Sequence, residues 1–156
     1  MSEPACPFCD KLARPEQDEV VWRFPNAVAW LGQWQFYHGY CILVARQHAR
    51  ELFELSDDVR RGYLEEMTLL ARAIDRAFSP HKLNYELLGN QVPHLHWHLF
   101  PRSADDPNRL QPVWLAVDGA ERDPARNKAL ETGRSDRWAT RDELRRVLTS
   151  LGAPSA

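Results

Sequence analysis

The chain has 156 residues, 44% of them hydrophobic and 27% charged, with a formal net charge of −2. That length is enough to bury a core in one domain without disulfide help, and the near-neutral balance excludes the broad basic field of a general nucleic-acid binder. Membrane insertion is not expected, because no run reaches the roughly 18 consecutive apolar residues that a span needs. The opening MSEPACPFCDKL lacks the basic and then apolar run of a secretory signal, so the expected compartment is the cytoplasm.

Taken in chain order, the first feature is CPFC, a Cys-x-x-Cys knuckle formed by Cys6 and Cys9. With Cys41 it makes an odd total of three, so a disulfide framework is not expected in a chain without a signal. A zinc knuckle, a redox pair and two unpaired thiols are all open readings of CPFC. VVWRF and NAVAWLG, either side of Pro25–Asn26, are β-branched and aromatic runs that read as a hairpin. GYCILVA continues the sheet, with Cys41 as a small packing residue, and His48 follows just beyond it.

The period then changes. Val59, Tyr63, Met67, Leu70, Ile74 and Phe78 recur at spacings of three and four, which is one apolar face of a helix. Ser56 is its expected N-cap, Asp57 and Asp58 suit the positive end of the dipole, and Pro80 ends it. KLNYELLGN puts Leu83, Tyr85 and Leu87 on one strand face, and the break GNQVP predicts a hairpin into the next strand. Beyond Phe100 come a polar stretch to Pro112, the apolar VWLAV, and a charged tail that reads as helical, with Thr140 as a plausible N-cap. This order of elements predicts an α+β fold, an antiparallel sheet with one long helix packed on it.

PHLHWHLFPR, residues 93–102, places His94, His96 and His98 at every second position. On a strand these would share one face about 7 Å apart, with Leu95, Trp97 and Leu99 turned to the core. Imidazole has no special value on a solvent-facing strand, so three on one face point to a site. Neighbours about 7 Å apart cannot jointly hold zinc, whose bonds to nitrogen are about 2.1 Å. One strand histidine with Cys6, Cys9 and His48 would instead make a closed four-coordinate structural zinc site.

HLHWHLF, with its trailing PR, resembles the His-x-His-x-His motif of the histidine triad (HIT) superfamily. HGYCILVARQH is similar to that family's Gly-His-x-Leu-Val-x-Pro-x-x-His segment, so the resemblance spans residues 6 to about 102. It implies a HIT-like antiparallel sheet of about five strands in a single domain over 1–156, with residues 103–156 as a C-terminal helical extension outside the matched core. The chain is similar to dinucleoside polyphosphate hydrolases and nucleoside phosphoramidases, and its resemblance to the zinc-containing, bacterial-type branch implies Cys6, Cys9, His48 and His94 on structural zinc. It implies His96 as the nucleophile at an α-phosphorus and His98 as the phosphate contact and proton donor. Asn90, Gln91 and Gln33, with His98, become the substrate-binding candidates, the partner is a nucleotide, and a homodimer with a continuous sheet is expected.

Three positions depart from the family pattern. Tyr40 stands where the family has histidine after Gly39, Ala45 replaces its proline, and Gly32 falls where an Asp or Asn usually holds the ribose hydroxyls. Gln33 is the nearest substitute for that contact, and without it discrimination of ribose from deoxyribose should be weak. Trp114 reads either as a core residue or as one reaching a neighbouring subunit's site. The rival to an enzyme is a zinc-stabilised nucleotide-binding protein with little turnover, against which the intact triad argues, since a binder has no need of His96.

Overall fold

The computed structural model describes residues 5–14 and 17–156, so the expected domain bounds of 1–156 include residues 1–4 and 15–16, which lie outside it. Five strands form one antiparallel sheet: β1 (Val20–Arg23), β2 (Ala27–Leu31), β3 (Cys41–Ala45), β4 (Lys82–Glu86) and β5 (His96–Arg102), in the order β1-β2-β3-β5-β4. Among the described residues five α-helices accompany them, α1 (Pro7–Leu12), α2 (Asp57–Phe78), α3 (Val113–Glu121), α4 (Pro124–Glu131) and α5 (Arg137–Ser150), with a short 3-10 turn at Leu52–Glu54. The α+β expectation of a five-stranded antiparallel sheet carrying a long helix is met.

Strand alternation divides the side chains between two layers. Ala27, Ala29, Leu31, Cys41, Leu43, Ala45 and Leu99 pack with Tyr63, Leu70 and Ile74 of α2 and with Leu144 and Leu148 of α5. The helical stripe read from the sequence is therefore a core face, and α5 shares it. On the other side of the sheet, Val28, Trp30 and Val44 meet Phe8 and Leu12 of α1. Tyr40 and Phe100 meet Val113 and Val117 of α3. The site lies on this second side.

The caps of α2 match their sequence signals: Ser56 accepts from the Val59 N–H, and Ser79 ends the helix at φ 46°. The Pro25–Asn26 turn is held by Glu66 of α2, whose carboxylate accepts from both the backbone and side-chain N–H groups of Asn26. Gly62, one turn earlier, is required by that contact, because a Cβ there would lie 2.3 Å from the Asn26 amide nitrogen.

Two expectations are corrected. Thr140 is not the cap of the last helix: Asp136 accepts from the Trp138 and Ala139 N–H groups, so α5 starts earlier and Thr140 lies buried inside it. A carboxylate that takes two of the orphan donors at the positive end of the dipole outcompetes a hydroxyl. Strand β5 begins at His96, so His94 precedes the strand, with its imidazole Nε2 against the Ala45 carbonyl.

The Pro-Arg pair after the triad closes this architecture. Arg102 is 1% exposed, and its guanidinium donates to Asp106, to Asn84 and to the carbonyls of Asn108 and Gln111. It thereby fastens the polar stretch that leads into α3. Arg102→Met should destabilise the protein by about 3–5 kcal/mol in urea unfolding, because the buried Asp106 carboxylate loses its counter-charge. Arg102→Met with Asp106→Leu should recover much of that loss, since removing both charges leaves neither unpaired.

Candidate functional site

Four side chains from three segments converge at the N-terminal end of β5. Cys6 and Cys9 come from the N-terminus of α1, His48 from the segment after β3, and His94 from the loop before β5. His94 Nδ1 lies 3.3 Å from Cys6 Sγ, 3.6 Å from Cys9 Sγ and 3.2 Å from His48 Nδ1, while Cys9 Sγ is 3.3 Å from His48 Nδ1. All four donor atoms lie within 4.8 Å of one another. A tetrahedral zinc with two sulfur and two nitrogen ligands sets its donors roughly 3.4–3.8 Å apart, so this group fits such an ion. The opposite nitrogen of His94, Nε2, is 2.8 Å from the Ala45 carbonyl, which can only accept. Its proton is therefore on Nε2, and the Nδ1 lone pair faces the sulfurs, as a metal-ligating imidazole requires.

His96 has the opposite arrangement. Its Nδ1 lies 2.6 Å from the His94 carbonyl and must carry the proton, leaving the Nε2 lone pair free. Burial lowers its basicity while the bond to the carbonyl raises it, and the net shift is downward, so the ring is neutral near pH 7. At His98, burial, with His96 beside it, brings the ring down to about 3. Its Nδ1 is 2.7 Å from the hydroxyl of Tyr40. The ring centroids of His96 and His98 are 4.9 Å apart.

These two imidazoles open onto a cavity of about 400 Å³, within the usual span of small-ligand sites. Asn90 and Gln91 line it from the loop after β4, together with Phe8, Trp34 and Trp114. Its charged lining residues are Asp118 and Glu121 of α3. Gln33 lies in an adjoining hollow with Gly32, Lys11, Glu19 and Arg137, which shares Phe8, Trp34 and His98 with the first. The structure thus brings every residue singled out in the sequence to one place: four in the metal-fitting group, His96 and His98 at the centre, Asn90 and Gln91 on one side and Gln33 on the other.

It also adds residues. Phe8, between the two cysteines, packs on both His94 and His96, at centroid distances of 5.8 and 4.6 Å. Trp114 meets His98 edge-on at 4.9 Å. It is half-buried over its own chain's histidine and packs against the cluster of Tyr40, Phe100 and Val113, because the loop fastened by Arg102 delivers α3 there. No local signal marks Trp114 as a site residue, whereas Tyr40 was already visible as a departure.

Comparison with known proteins gives the family and the fold. The HIT domain family model matches residues 14–105. The "Protein hit" of Bacillus subtilis is 28% identical over 102 residues, spanning 62% of this chain and 70% of that protein. A Zn-bound histidine triad family protein from Mycobacterium smegmatis has the same fold, with a TM-score of 0.66 and 19% identity over 95% of this chain and 96% of that one. So does a hypothetical histidine triad nucleotide-binding protein from Sulfolobus tokodaii, with a TM-score of 0.67 and 16% identity over 94% and 93% of the two chains.

The Cys6, Cys9, His48 and His94 group leads to a direct measurement. Untagged protein should carry one equivalent of zinc per chain by elemental analysis, and Cys9→Ser should lower both that content and the melting temperature. Full retention of metal in Cys9→Ser would place the ion elsewhere.

Proposed function

Because the chain belongs to the HIT domain family, we propose that it is a nucleotide hydrolase working through a nucleotidyl-histidine intermediate on His96. Its substrate would be a nucleoside phosphate derivative, either a dinucleoside polyphosphate or a phosphoramidate. The observation that carries this reading is the tautomer of His96. Its Nδ1–H is held by the His94 carbonyl, and the free Nε2 lone pair belongs to a neutral ring on a cavity wall. That is the state a nitrogen nucleophile needs.

In the first step Nε2 would form a bond to the α-phosphorus while the bond to the leaving group breaks, its electron pair departing with that group. The imidazole becomes a cation, and its Nδ1–H bond to the His94 carbonyl strengthens as a charge-assisted bond. In the second step water attacks phosphorus, the phosphorus–nitrogen pair returns to Nε2, and nucleoside monophosphate leaves; the proton lost by water balances the departed group. His98 would donate to the phosphoryl oxygens as they gain charge. Asn90, Gln91 and Gln33 would hold the rest of the substrate. Zinc, held by Cys6, Cys9, His48 and His94, would be structural, since four protein ligands leave no position for water, and it would tie α1 to the sheet. The same reading includes a homodimer, for which β4, an edge strand with Tyr85 exposed on it, offers a place to continue the sheet.

His96→Ala should lower hydrolysis of the best substrate by roughly a thousandfold or more with the fold and zinc content retained, because it deletes the bond-forming atom. His98→Ala should cost less, roughly a hundredfold, as a lost donor does. An alkaline quench of a phosphorus-labelled substrate should leave the label on His96. Label on any other residue would refute the assignment.

A further inference from the structure

We propose that Tyr40 is a positioning residue that presents His98 with its proton on Nε2, and that Gly32 is the glycine that leaves room for the tyrosine ring. The two departures from the family pattern are then one coupled exchange. Tyr40 is 1% exposed, with its ring stacked 4.0 Å from Phe100 and parallel to Trp34 at 6.0 Å. Burial keeps the phenol protonated far above its ordinary range. Its hydroxyl proton must be given to an acceptor, and the partner within reach is His98 Nδ1 at 2.7 Å.

Two directions of that hydrogen bond are possible, and they differ in what they leave behind. If Nδ1–H donated to the phenol oxygen, the phenol proton would have no protein acceptor among the described residues. If the phenol donates, both groups are satisfied, and the single proton of the neutral ring sits on Nε2. His98 lines both hollows of the site, so Nε2 is the nitrogen left to face them. Neighbouring imidazoles then hold opposite tautomers: His96 offers a lone pair, held so by a carbonyl, and His98 offers an N–H, held so by a phenol.

Gly32 bears on this through space. A Cβ there would lie 2.2 Å from both Cδ1 and Cε1 of Tyr40 and 2.8 Å from Cγ. The Gly32 N–H also donates to the Tyr40 carbonyl at 2.8 Å, which couples the two backbones. Gly32 is not among the residues at positive φ, so room rather than backbone conformation demands glycine. Any side chain at position 32, a ribose-holding carboxylate included, must displace the ring that orients His98. Gly32→Asp by itself would therefore disrupt the site rather than restore a ribose contact.

The consequence for turnover rests on the hydrolase reading above, whereas the tautomer is a property of the free protein. The test is long-range proton–nitrogen NMR of histidine-labelled protein, with His98 assigned by its loss in His98→Asn. The expected spectrum has His98 Nδ1 unprotonated and Nε2 protonated. Tyr40→Phe should show averaging between the two tautomers. It should also lower kcat by roughly tenfold while leaving KM within about twofold, because it alters how a donor is presented and not the nucleophile. Gly32→Ala should reproduce the NMR signature of Tyr40→Phe and lower the melting temperature, yet cost little further in a Tyr40→Ala background, where the ring is gone. A native His98 protonated on Nδ1, an unchanged spectrum in Tyr40→Phe, or a Gly32→Ala protein with the native spectrum would overturn the proposal. Absence of turnover on any nucleotide would count against the hydrolase reading alone, with the NMR result still deciding the role of Tyr40.

Discussion

Ile42 opposite His98 and Val44 opposite His96 define the register between β3 and β5, and the Ala45 N–H extends that pairing to the carbonyl of Leu95. Side chains alternate along a strand, so a slip of one residue would turn both histidines toward α2 and bring Trp97 and Leu99 to the cavity. The same register sets what flanks β3. Tyr40, just before it, reaches His98, and His48, just after it, reaches His94. Both ends of the site are thus fed from one ladder, and the cavity-facing imidazoles and the metal-fitting group cannot move independently of it.

Each imidazole of the triad has one nitrogen occupied by the protein, and the occupant decides what the other can do. His94 gives its proton to Ala45 and turns a lone pair to the sulfurs; His96 gives its proton to His94 and turns a lone pair to the cavity. His98 is bonded by Tyr40. Burial lowers the basicity of all three, which keeps them neutral and makes the tautomer, rather than net charge, the variable that matters. Phe8 covers His94 and His96 together, so α1 shields both imidazoles with the same segment that brings Cys6 and Cys9.

The C-terminal third contributes through Arg102. With Asp106, Asn84 and two carbonyls as partners, its charge is compensated inside the protein, and the loop it gathers has one course. Helix α3 leaves that loop with Trp114 against His98 and with Asp118 and Glu121 at the cavity wall. Lys11 and Arg137 stand with Glu19 in the adjoining hollow. The site therefore has two chambers of different charge that meet at His98, one built from the matched part of the chain and α3, the other closed by α5.

Much of this was legible because the signals are local and periodic. The helical stripe of α2 with its Ser56 cap, the runs of the first three strands, and the alternation of His96 and His98 all follow from repeat geometry that neighbouring residues impose on one another. The Cys-x-x-Cys knuckle and His48 carry their ligand chemistry in residue type, so the metal-fitting group could be assembled on paper. Contacts between distant segments were another matter. That His94 would leave the strand to meet Ala45, that Asp136 would displace Thr140 as a cap, and that Trp114 would settle on its own chain's His98 depend on packing between segments far apart in the chain. Gly32 and Tyr40 make the difference plainest. In sequence they are two separate departures, and only the tertiary fold, by setting a missing Cβ 2.2 Å from an aromatic ring, makes them a single steric fact. Residue type and spacing determine what chemistry a chain has available; close approach in three dimensions decides which groups can occupy the same space.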